Sequence, residues 1–147
     1  MHTVSTTLGY LRPVLRLLQE KGFSISALLE QHGIPVSGLL DGGQRVPVDV
    51  SCQLMTLAAL QSHPIPLWKA LLKHAGYSDF GGLGMALEAG GNPLTVLQRV
   101  ATYHALVSNA VTLEVRAQGS TCQLTVTLCE EHPPHRQSML FLLALLA

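Results

Sequence analysis

Residues able to do chemistry are few in this sequence and far apart. Cys129-x-x-His132-x-x-His135, with Cys122 upstream, is the cluster whose spacing comes nearest to a ligand set. A metal needs its donors to converge on one point, whereas Pro133-Pro134 stiffens this connection and the spacing matches no usual zinc pattern. The stretch therefore reads as a polar loop, and neither metal nor cofactor is expected. Glu130-Glu131 are adjacent at a strand end, as in a solvated turn. The glycines of Gly81-Gly82-Leu83-Gly84 lack both the spacing and the Lys-Ser/Thr of a phosphate cradle, so close backbone packing or a hinge is their better account. With no G-x-S-x-G elbow and no paired carboxylates at catalytic-looking positions, no enzyme is expected.

Three residues remain as candidates for a binding site. Tyr103 and His104 sit on a predicted helix whose Leu94, Leu97, Ala101, His104 and Ala105 follow helical spacing. A histidine on such an apolar stripe is either a hydrogen-bonded core residue or a polar group in a ligand cavity. Trp68, the single tryptophan, is either core or pocket wall, since apolar pockets use the same aromatics as cores.

The elements that must position these residues are mainly helices. Leu8, Leu11, Leu15 and Leu18 predict a first helix of about ten residues, with Pro13 tolerable near its first turn and Gly22 as its stop. Ser24 caps a second helix, which ends at Gly33 before Pro35, and Ser37 to Asp41 form a short helical turn. Val46-Pro47-Val48-Asp49 opens a longer helix with Leu54, Leu57, Ala58 and Leu60 inward, broken at His63-Pro64-Ile65-Pro66. Leu67 to His74 and Leu83 to Ala89 make two more helices. Asn92-Pro93 joins a preferred cap residue to proline at the first helical position, and predicts a long helix reaching about Ser108.

The period then changes to two. Val111 to Ala117 and Thr121 to Cys129 alternate apolar and polar residues around Gln118-Gly119-Ser120, which predicts an antiparallel hairpin. Its apolar face sets Val111, Leu113, Val115 and Ala117 opposite Cys122, Leu124, Val126 and Leu128. Two strands alone are marginally stable, so the hairpin must pack on helices or join further strands. Pro133-Pro134 starts a final helix with no stop signal, as if the chain ended inside an element of a longer protein.

Composition bounds the rest. The 147 residues are 48% hydrophobic and 12% charged, with zero net charge. Low charge on a foldable chain leaves apolar surface for a partner, and the lack of a basic excess argues against nucleic-acid binding by these residues. Three cysteines, Cys52, Cys122 and Cys129, read as reduced thiols of a cytoplasmic protein. The N-terminus reads either as an ordinary first helix or as an Arg-containing, acid-poor presequence. Met139 to Ala147 is about half the length of a membrane span, so no membrane partner is expected.

Gly33-Ile34, Leu40-Asp41, Arg45-Val46-Pro47, Gly81-Gly82-Leu83-Gly84-Met85-Ala86, the stretch from Leu97 through Tyr103 to Leu106, and the hairpin follow one another in a familiar order. In that order and spacing the chain resembles the N-terminal effector domain of AraC-type transcription regulators, in the subgroup with an arabinose-binding-like domain. One departure is Asn92-Pro93-Leu94-Thr95, where the family often has small-Pro-Thr-Leu. The resemblance implies a sensor and oligomerisation domain, over 1–147, with a helical part (1–76) and an α+β part (77–147). It implies a small-molecule effector (amino acid, sugar or organic acid), a homodimer, and DNA contact only through a C-terminal helix-turn-helix domain outside this chain. It carries over no effector-contacting motif, so Tyr103, His104 and Trp68 stand as ligand candidates on their own chemistry. A ligand-free dimerisation module is the alternative. The expected fold class is α+β: helices, then a long helix and an antiparallel hairpin belonging to a larger sheet, ending in a truncated helix.

Overall fold

A computed structural model describes residues 4–128, and these begin with a strand too short to show a pattern in sequence. β1 (Ser5–Thr7) pairs antiparallel with β2 (Arg45–Pro47), Thr6 opposite Val46. The helix expected from Val46-Pro47-Val48-Asp49 starts at Val48 with Pro47 as its cap residue, while Val46 belongs to the strand. Three-residue strands cannot display an alternation, and their pairing is made by side chains distant in sequence. Arg45 donates from Nε to Ser5 Oγ (3.0 Å) and from Nη1 to the Leu106 carbonyl (3.0 Å), and the Thr6 hydroxyl donates to the Val107 carbonyl (3.1 Å).

Helix α1 (Leu8–Glu20) starts at Thr7, whose hydroxyl accepts from the Tyr10 N–H, while the N–H groups of Leu8 and Gly9 donate to the Gln44 and Gly42 carbonyls at 2.7 and 2.9 Å. The orphan donors of its first turn are thus taken up by the loop before β2. The helix is longer than expected and carries Pro13 in its second turn, because an almost continuously buried face holds it on the core. α2 (Ile25–Gln31) is capped by Ser24 and stopped at Gly33, as expected. A 3-10 turn (Val36–Leu39) leads through the Asp41–Gln44 loop to β2 and α3 (Val48–Ser62). Leu54, Met55 and Ala58 form the inward stripe of α3 with Leu57 half-buried, but Leu60 is 71% exposed. Its expected inward position is corrected by the helical period: two residues beyond Ala58 a side chain stands on the opposite side.

α4 (Leu67–Leu72), a second 3-10 turn (Tyr77–Phe80) and α5 (Gly82–Glu88) follow. The glycine-dense stretch owes one of its members to close packing. A Cβ on Gly84 would lie 1.7 Å from the Tyr77 carbonyl oxygen. Gly84→Ala is therefore expected to cost about 1–3 kcal/mol, since backbone cannot step aside as a side chain can. An unchanged denaturation midpoint would show the turn to be looser than this contact implies.

α6 (Pro93–Val107) is built as its opening residues require. Asn92 Oδ1 accepts from the Thr95 N–H at 2.9 Å, Pro93 takes the first position, and Ser108 returns the chain to extended backbone. β3 (Val111–Gln118) and β4 (Thr121–Leu128) pair antiparallel with Leu113 opposite Val126 and Val115 opposite Leu124, the register set by the alternation. The hairpin packs along α6 at its base, where Leu113 reaches the core, while Ala117 and Cys122 at its tip are exposed. Among the described residues no third strand joins it. The helix expected after Pro134 lies outside the described residues, as do the further strands expected beyond residue 147. The core is leucine-rich: Leu8, Leu11 and Leu18 of α1 meet Leu54 and Met55 of α3, Leu71 of α4 and Val100 of α6. Each such side chain contributes about 1.5–3 kcal/mol by leaving water. The architecture is α+β.

Candidate functional site

The end of α1, the connection from α3 to α4, and α4 itself enclose a cleft of about 440 Å³. Its floor and walls are apolar: Leu17, Ala70, Ile65, Pro64 and Pro66. Ser62, also in the lining, shares its hydroxyl between the Ala59 and Ile65 carbonyls at 3.2 and 3.0 Å, which fixes the connection. Lys21, Lys69 and Lys73 stand around this floor. They are all the lysines in the chain. None of the three has a carboxylate within ion-pair distance among the described residues. Glu20, the acidic residue of the lining, is engaged by His74 Nε2 at 2.9 Å.

The arginines behave differently, since the fold consumes those of the helical part. Arg16 grips Asp79 through both carboxylate oxygens, at 2.7 and 2.8 Å, and donates to the His74 carbonyl at 2.5 Å. Arg12 donates to the Leu39 carbonyl at 2.7 Å and approaches Asp79 at 3.9 Å, while Asp79 accepts from the Gly76 N–H at 3.0 Å. Arg99 donates to the Gly90 carbonyl. Arg16 and Glu20 are one turn apart on α1 and both hold residue 74, so the wall of the cleft formed by His74 is hooked to α1 at two points. The close approach that this requires is visible at Gly9, where a Cβ would lie 2.2 Å from the Asp79 carbonyl oxygen.

The candidates named from sequence fall elsewhere. His104 is 4% exposed, between Val100 and Val107 on the buried stripe of α6, and its imidazole makes no hydrogen bond among the described residues. Burial pushes its pKa down to about 4, because the charged form would lose its hydration. Tyr103, next along the helix, faces outward at 43% exposure. Trp68 is half-buried against the core on α4, a helix that packs on α1 and α3, whereas α6 packs on α5, β1 and the hairpin. Tyr103, His104 and Trp68 are not part of the lysine cleft's lining. Cys129, His132 and His135 lie outside the described residues, and among the described residues no group of His, Cys, Asp or Glu is placed to hold a metal. Cys122 is an exposed free thiol, and Cys52 is half-buried.

Sequence reasoning passed over Lys21, Lys69 and Lys73. Two signals were available: lysine is confined to three positions, and Lys69 and Lys73 are four apart, on one side of a helix. Lys21 joins them only through the packing of α1 on α4.

No helix among the described residues is long and apolar enough to cross a membrane. No curated protein matches the chain. The model of the N-terminal arabinose-binding domain of AraC transcription regulators matches residues 22–147, so the chain belongs to that family and is a ligand-binding regulatory domain of the AraC type.

Proposed function

We propose that the chain is the effector-sensing domain of a cytoplasmic transcription regulator. It binds a small metabolite without turning it over, and its occupancy controls how a C-terminal DNA-binding domain is presented. The observation that carries this reading is the cleft between α1 and α4, whose size falls in the range of small-molecule sites and whose lining joins an apolar floor to a few polar groups. A ligand there can shift a two-state equilibrium only by its differential affinity for the two states. The hooks from Arg16 and Glu20 to residue 74 are the contacts through which a moved cleft wall reaches Asp79 and the α5–α6 pair.

A thermal-shift screen of the chain against amino acids, sugars and organic acids tests the reading. A ligand at about 100 times its Kd stabilises by about 2.7 kcal/mol, which is readily seen. At least one class is expected to raise Tm, and a flat response across the panel would remove the sensing role.

A second reading, a dimerisation module without ligand, is favoured by Tyr103 and Leu106, one turn apart on α6 at 43% and 61% exposure, and by Met85 at 73% on α5, the helix packed against α6. Sedimentation over a concentration series tests it, and a monomer throughout would count against it.

A further inference from the structure

We infer that the cleft between α1 and α4 selects a small organic dianion with a hydrocarbon body, a ligand class narrower than the sensing reading on which it rests. Three features of the cleft lead to this. The first is the concentration of charge. A chain with no net charge brings all its lysines to one concavity and leaves their ammonium groups without carboxylate partners among the described residues. Lysine is favourable near helix C-termini, and α1 and α4 both end here. That does not account for the cluster, because α2, α3 and α5 end with no basic residue in their last turns.

The second feature is what lies between the charges. Leu17, Ile65, Ala70 and the prolines offer nothing to the hydroxyls of a sugar, and burying such hydroxyls unpaired is costly. A methylene chain or a ring fits there. The third is the kind of cation. Lysine is a compact point charge, whereas the planar fork of arginine selects carboxylate or phosphate geometry. With the nearby arginines tied to Asp79 and to backbone carbonyls, the cleft reads charge and spacing, and its shared chemistry covers dicarboxylates and organic phosphates alike.

The test compares five probes by thermal shift and calorimetry: adipate, phenyl phosphate, inorganic phosphate, L-arabinose and 1,5-diaminopentane. Adipate or phenyl phosphate is expected to raise Tm, and which of them does so distinguishes the two anion sources. Inorganic phosphate, lacking an apolar body, is expected to bind at least tenfold more weakly, and the sugar and the diamine to have no effect. Lys69→Gln and Lys73→Gln should each weaken binding by about fivefold, and the triple variant with Lys21→Gln should abolish it. The affinity should also fall as sodium chloride rises. The lysines are exposed, so the unliganded variants should unfold as the parent does.

If L-arabinose stabilises the chain, equally in the triple variant, sensing stands and the dianion assignment is overturned. If the anions bind parent and triple variant alike, the cleft is the wrong place. If the amino acids, sugars and organic acids of the broad screen and all five probes leave Tm unmoved, sensing itself fails and this inference with it.

Discussion

Arg16→Met is expected to destabilise the fold by about 3–5 kcal/mol, a large share of the roughly 5–15 kcal/mol that keeps an ordinary domain folded. The reason lies in an asymmetry of the pair. The Asp79 side chain is 1% exposed, whereas that of Arg16 is 45% exposed. Removing the arginine leaves a buried carboxylate with the Gly76 N–H at 3.0 Å and Arg12 at 3.9 Å, too little to replace its lost hydration. Removing the acid is milder, because the guanidinium of Arg16 can turn to water, and Asp79→Asn should cost about 1–2 kcal/mol. For a chain of this size the first substitution corresponds to roughly 10 °C in Tm. Urea denaturation of both variants measures the difference. Equal small losses would mean that Asp79 is hydrated in solution and that the clamp adds little. Arg16→Met also frees the His74 carbonyl, so any ligand of the α1–α4 cleft should bind it more weakly.

The Arg16–Asp79 pair also marks the boundary between what was legible in the sequence and what was not. Local rules were legible. Ser24 and Asn92-Pro93 state their helix starts in adjacent residues, Gly33 its helix stop, and the alternation from Val111 to Leu128 fixes the register of the hairpin. Features made by chain folding back on itself were not. Asp79 meets Arg16 across 63 residues, and β1 finds β2 through three-residue strands. Neither leaves a periodic trace. Leu60 is a different case, since the period itself places it outward of Ala58 and hydrophobicity alone suggested otherwise. The lysine cleft combines the two: Lys69 and Lys73 share a face that spacing reveals, and Lys21 arrives only when α1 lies against α4.

Stability should fall with acid in a window set by His104. Its unperturbed pKa is 6.5 and its folded value is about 4, so at neutral pH the imidazole is neutral in both states and contributes no pH dependence. Between these values the unfolded chain binds the proton and the folded chain does not, so stability falls as pH falls from about 6.5 to about 4. The total loss is about 3 kcal/mol, the difference in pKa expressed as free energy. Below pH 4 the folded state also takes the proton and the slope from this group ends. The measurement is a difference between the parent and a variant that lacks this group. Urea midpoints of the parent and of His104→Leu are compared from pH 7.5 down to pH 4. The leucine variant should lack this part of the slope. At pH 7.5 it should be at least as stable as the parent, because it replaces a buried imidazole that makes no hydrogen bond among the described residues. Parallel profiles would place the imidazole in contact with water. A variant much weaker at pH 7.5 would show that His104 holds something in place, which is the polar role that its position beside Tyr103 suggests.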